Sequence, residues 1–101
     1  MVKVMRESKI ETYLKTQAPK HGFLCWKYPA TNLKGVPDRL LIGHGQVLFV
    51  ELKRQNDAII SEIQKLRHKQ IKEHGCHVHI CASTDDIDNL LSHYPMKKGE
   101  K

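Results

Sequence analysis

Two carboxylates and an amine stand at spacings that could do chemistry. Asp38 ends the run Gly35-Val36-Pro37-Asp38, and Glu51 and Lys53 are alternate residues of the run Val47 to Lys53. Alternate strand residues share a face, so Glu51 and Lys53 extend the row Val47, Phe49, while Leu48, Val50 and Leu52 share the other face. Charges that continue an apolar row cost roughly several kcal/mol when buried, unless they are paired or hold a metal. Taken alone, Glu-x-Lys reads as an exposed ion pair. The preceding turn favours a different reading. Pro37 keeps Val36 extended, the rigid turn sets Asp38 at the mouth of a hairpin, and the hairpin folds Asp38 back toward Glu51.

Two converging carboxylates beside one lysine make a hard, oxygen-rich pocket suited to Mg²⁺ or Mn²⁺, with the backbone carbonyl of Leu52 as a further ligand. An ion held there lowers the pKa of a water and stabilises charge on a phosphorane. Lys53 is then placed to orient or help deprotonate the attacking water, or to neutralise developing charge.

The elements that position these groups follow from periodicity. Glu7 to Ala18 sets Ile10, Tyr13 and Leu14 at helical spacing, and His21-Gly22 stops that helix. Phe23 to Tyr28, closed by Pro29, reads as a strand, and Ala30 to Pro37 as a loop. Arg39 to Ile42 and Val47 to Lys53 form a hairpin through Gly43-His44-Gly45-Gln46. Ser61-Glu62-Ile63-Gln64 has the capping-box pattern of a helix start, with Ile63, Leu66, Gln70 and Ile71 following until Gly75. His77 to Cys81 alternates as a strand, and Ser83 or Thr84 caps a last helix carrying Ile87, Leu90 and Leu91. The expected fold class is α/β, a central mixed β-sheet flanked by helices in the order α-β-β-β-α-β-α. One domain over residues 1–95 is expected, with 96–101 a flexible basic tail.

The chain has 101 residues and a formal charge of +6 with its seven histidines neutral, so an anionic partner such as nucleic acid is the first expectation. Cys25, Cys76 and Cys81 are odd in number and form no CxxC, which argues for core thiols in a reducing compartment. No run is long and apolar enough for a membrane span, and the N-terminal residues lack the apolar core of a signal peptide. The expected location is cytoplasmic, in a bacterium or in the host of a phage. His77, His79 and Cys81 share a strand face, but without turn-borne ligand pairs this favours packing over zinc.

Pro37-Asp38, followed after twelve residues by Glu51-Leu52-Lys53, resembles the PD-(D/E)xK nuclease motif. Glu7-x-x-Ile10, Gly22, Gly35-Val36-Pro37-Asp38, Val50 to Lys53, Gln64 and Gly75 closely resemble the VRR-NUC domain of that superfamily, in its short stand-alone form from bacteria and phages. The resemblance covers about residues 5 to 92. It implies a restriction-endonuclease-like fold and metal-dependent hydrolysis of DNA phosphodiesters by a homodimer on branched DNA such as four-way junctions. By position it also implies that Asp38, Glu51 and Glu7 bind the metal, that Lys53 is catalytic, and that Gln64 supports the site. Glu11, one turn after Glu7 on the same face, is an alternative to Glu7. Gln64 could instead be spent as the capping-box residue of its helix.

Lys34, Arg39 and Arg54 are the expected DNA contacts, with Lys27, Lys65, Arg67, His68, Lys69 and Lys72 adding positive charge. The function expected is a Mg²⁺- or Mn²⁺-dependent structure-selective endonuclease acting on branched or duplex DNA. A sequence-specific restriction-type nuclease and a non-catalytic DNA-binding module on the same fold are the alternatives.

Overall fold

In the computed structural model, residues 6–27, 32–54 and 60–96 are described. Helix α1 spans Glu7–Gln17 and tightens into a 3₁₀ turn at Ala18–His21. The tightening falls at Pro19, which lacks the N–H needed to continue the α-helical ladder. Strands β1 (Leu24–Lys27), β2 (Arg39–Gly43) and β3 (Gln46–Leu52) follow, then α2 (Glu62–Glu73), β4 (His77–Cys81) and α3 (Thr84–Leu91). The expected element order holds. Phe23 belongs to the core rather than to the first strand, and Tyr28, Pro29 and the tail from 97 onward lie outside the described residues.

The four strands form one mixed sheet in sequence order. β1, β2 and β3 pair antiparallel, and β4 joins β3 in parallel after the crossover through α2. The β2–β3 hairpin turns on His44 and Gly45, whose φ values of 52° and 73° match a two-residue turn of the type that follows strand twist. His44 tolerates the left-handed backbone because its ring is held: it contacts Phe23 and Tyr94, and its Nε2 lies 2.7 Å from the His21 carbonyl.

One face of the sheet carries the core. Leu41, Leu48, Val50, Leu52 and Cys81 meet Ile10, Leu14 and Ala18 from the first helical segment, and Ile87, Leu90 and Leu91 from α3. α3 starts at Ser83, whose hydroxyl accepts from Asp86 N. Cys81 is buried, and burial pushes its thiol up to about 12, so it behaves as an inert apolar group. Cys25 and Cys76 are half-buried rather than core thiols. The opposite face receives α2, which contributes no fully buried residue. That helix is anchored by polar contacts instead, and these contacts lie at the end of the sheet where Asp38, Glu51 and Lys53 meet.

Candidate active site

The β2–β3 register pairs Arg39 with Val50, so the next step along the two strands sets Asp38 opposite Glu51. Their carboxyls are hydrogen-bonded to each other. Asp38 is fixed from a second side, because its Oδ2 accepts from the Leu52 backbone N–H at 2.6 Å. In an extended strand a residue's carbonyl leaves on the same edge as its N–H. The Leu52 carbonyl is therefore offered on the edge where Asp38 lies, and Leu52 lines the cleft there together with Asp38, Glu7, Glu11, Ser8 and Lys27.

Glu51 is only 2% exposed. Burial, then the hydrogen bond and charge of Asp38, push its carboxyl up to about 8; Glu7 adds to the rise and Lys53 opposes it. Two carboxyls forced together, one of them buried and the other partly so, are a poor arrangement for a protein on its own. They are a good one for a divalent cation, which supplies the missing charge and displaces the proton. The donor set is all oxygen, and this fits Mg²⁺ or Mn²⁺ rather than a softer ion.

Lys53 donates from Nζ to Gln64 Oε1 at 3.1 Å, and its backbone N–H bonds Cys81 O at 3.0 Å, which ties the end of β3 to β4. Gln64 makes the contacts that both of its expected roles require. Its Oε1 accepts from the Ser61 backbone N–H at 3.0 Å, and its own N–H donates to the Ser61 hydroxyl, completing the capping box. The same amide donates from Nε2 to Glu51 Oε2 at 3.1 Å. One side chain thus starts α2 and joins the acid to the lysine.

α2 also holds the turn that carries Asp38. Gly35 has φ +83°, and a Cβ there would lie 2.8 Å from the Ile63 carbonyl oxygen. Only glycine meets both demands. Arg67 Nε then donates to Lys34 O at 2.8 Å, which pins the loop one helical turn further on.

The acids of α1 separate cleanly. Glu11 is spent on Arg39, with Oε2 2.9 Å from Nε. Glu7 lies on the cleft beside Asp38 and is exposed. Both acids line the cleft, and the pairing of Glu11 with Arg39 leaves Glu7 as the more exposed of the two. The same pairing withdraws Arg39 from the expected DNA contacts: at 8% exposure, with its guanidinium held by Glu11, it is a structural cation of the core face. Lys34 and Arg54 are exposed.

Two residues near the site escaped assignment from sequence. Lys27 was counted only as general charge, yet it lines the acidic cleft. His68 was counted the same way, yet its Nε2 lies 3.5 Å from Glu51 Oε1, and burial and the charge of Lys53 lower its pKa. The available signal was its spacing, since four residues after Gln64 places it on the same helix face. Elsewhere, His79 is lowered by burial and by His77 and His93. Among the described residues no three His, Cys, Asp or Glu side chains converge as a metal-holding group, neither around His77, His79 and Cys81 nor around Asp38, Glu51 and Glu7.

No protein-family model matches the sequence. Among curated proteins the chain is similar to "Putative nuclease p44" of Acyrthosiphon pisum secondary endosymbiont phage 1, with 28% identity over 96 residues, 89% of this chain and 96% of the relative. A solved structure described as "VRR_NUC domain" superposes with a TM-score of 0.79 at 28% identity, covering 88% of this chain and 97% of the other. A second, described as "VRR_NUC domain protein", superposes with a TM-score of 0.74 at 18% identity over 91% and 89% of the two chains, a likeness of fold.

Proposed function

We propose, from the premise that this chain is a VRR-NUC domain protein, that it is a divalent-metal-dependent DNA endonuclease selective for branched structures and active as a homodimer. The observation that carries the hydrolytic part is the contact between two carboxyls, one of them buried, with Lys53 joined to Glu51 through Gln64. Asp38, Glu51, the Leu52 carbonyl and Glu7 are the groups that would hold Mg²⁺ or Mn²⁺. The bound ion would supply Lewis acidity and a lowered water pKa. Lys53 leaves Gln64 to orient the attacking water or to neutralise charge on the scissile phosphate. Lys34 and Arg54, both exposed, would meet the DNA backbone, and the overall charge of +6 supports an electrostatic grip without sequence readout.

Pairing of protomers is supported by the sheet face that α2 leaves bare. Leu24 and Trp26 of β1 are 53% and 56% exposed there, with Val47 beside them on the same face. An apolar strip of this kind on a small protein marks a contact surface. One site per chain also requires a partner for paired incision, and a twofold dimer is the commonest solution.

The test is cleavage by wild type of labelled duplex, single-stranded, flap and four-way substrates in Mg²⁺, Mn²⁺ or EDTA, with the junction prepared in several scrambled sequences. Metal-dependent cutting of every junction in preference to duplex supports the proposal. Cutting confined to one sequence would turn it into a restriction-type activity, and binding without cutting into a non-catalytic module.

A further inference from the structure

We infer that His68 is a positioning residue for Glu51: its Nε2–H holds Oε1 of the carboxylate while Gln64 holds Oε2, so that α2 sets the acid's orientation toward Asp38. The inference rests on the hydrolytic reading above. It starts from geometry, with His68 Nε2 3.5 Å from Oε1 and Gln64 Nε2 3.1 Å from Oε2. Both donors come from α2 at a spacing of four residues, so one helix face grips both oxygens.

A carboxylate held through one oxygen alone can rotate about its last side-chain bond. Held through both, it presents one set of lone pairs to a cation. The His68 side chain is 17% exposed and its pKa is lowered, first by burial and then by Lys53. The tautomer with hydrogen on Nε2 is the one this contact requires. At 3.5 Å the contact is a long one, so His68 steers Oε1 more weakly than Gln64 holds Oε2 at 3.1 Å.

The experiment compares wild type, His68→Phe, which keeps the ring's bulk without the donor, and His68→Gln, which restores a donor at similar reach. Mn²⁺ affinity is read on DNA-free protein from the electron paramagnetic resonance of free Mn²⁺, and kcat and KM are read on the best-cut labelled DNA. His68→Phe is expected to bind Mn²⁺ about 10- to 100-fold more weakly and to lose kcat with little change in KM, and His68→Gln to recover most of both. If His68→Phe fails to melt cooperatively, His68→Met takes its place. Wild-type Mn²⁺ affinity in a folded donor-less variant overturns the inference alone, as does a failure of His68→Gln to recover. A wild type that neither binds Mn²⁺ nor cuts overturns the hydrolytic reading and the inference with it.

Discussion

Glu51 keeps its proton to about pH 8, well above the ordinary carboxylate range, because it is buried against Asp38. The consequence for stability follows by linkage. A carboxyl whose folded pKa is raised stabilises the fold fully below its unfolded pKa of about 4.5, and that contribution is lost as pH rises through about 8. Metal-free protein should therefore lose thermal stability between pH 6 and pH 8.5. Added Mg²⁺ or Mn²⁺ needs the ionised acid, so it should raise the melting temperature more at pH 8.5 than at pH 6. Calorimetric melts at the two pH values check both trends, and a metal-induced rise that is larger at pH 6 contradicts them. Asp38, Glu51 and Lys53 were legible in sequence because a proline-locked turn and strand alternation act over a few residues. The Arg39–Glu11 pair was not, since it joins residues 28 apart whose meeting depends on how α1 lies across β2. Its removal from the DNA-facing set has a consequence too: Arg39→Met should lower stability by about 3 kcal/mol or less, because Glu11 is left partly buried without its cation. Urea unfolding measures that loss, and an unchanged midpoint would return Arg39 to the surface.

At the scale of the element, α2 organises the site although it buries no residue completely. Ser61 and Gln64 start it, Gln64 and His68 grip Glu51, Gln64 meets Lys53, and Ile63 and Arg67 hold the turn before Asp38. Gln64→Ala should lower stability by about 1 kcal/mol through the cap and also reduce cleavage, because one amide serves both. A variant with the stability loss and full activity would reduce Gln64 to a capping residue. Gly35→Ala combines a left-handed backbone with a clash against backbone atoms of Ile63, so it should cost more than the roughly 1 kcal/mol of the backbone term alone. Denaturant unfolding and cleavage together check this, and a neutral substitution would show that the loop does not rest on α2. The capping box of this helix was legible in sequence. Its grip on Glu51 was not, because periodicity gives a helix face without giving the strand beneath it.

For the whole molecule, the order of helices and strands and the mixed sheet followed from hydrophobic periodicity, capping residues and glycine turns. What periodicity left out was coverage: α1 and α3 bury one sheet face, whereas α2 leaves Leu24, Trp26 and Val47 exposed on the other. If that face joins two protomers, Trp26→Glu should give a monomer by sedimentation while preserving the melting curve, and junction cutting should lose its paired incisions. A dimer that survives the substitution moves the interface elsewhere. Assembly and charge bear on DNA binding, but neither decides whether Asp38, Glu51 and Lys53 form one hydrolytic centre. That claim is tested most directly by cleavage of labelled four-way DNA in Mg²⁺ by wild type, Asp38→Asn, Glu51→Gln and Lys53→Met, with melting curves to confirm folding. The predicted result is metal-dependent cutting by wild type and a loss of at least about 100-fold in each variant. Undiminished cutting by the three folded variants, or cutting by wild type that persists in EDTA, would contradict it.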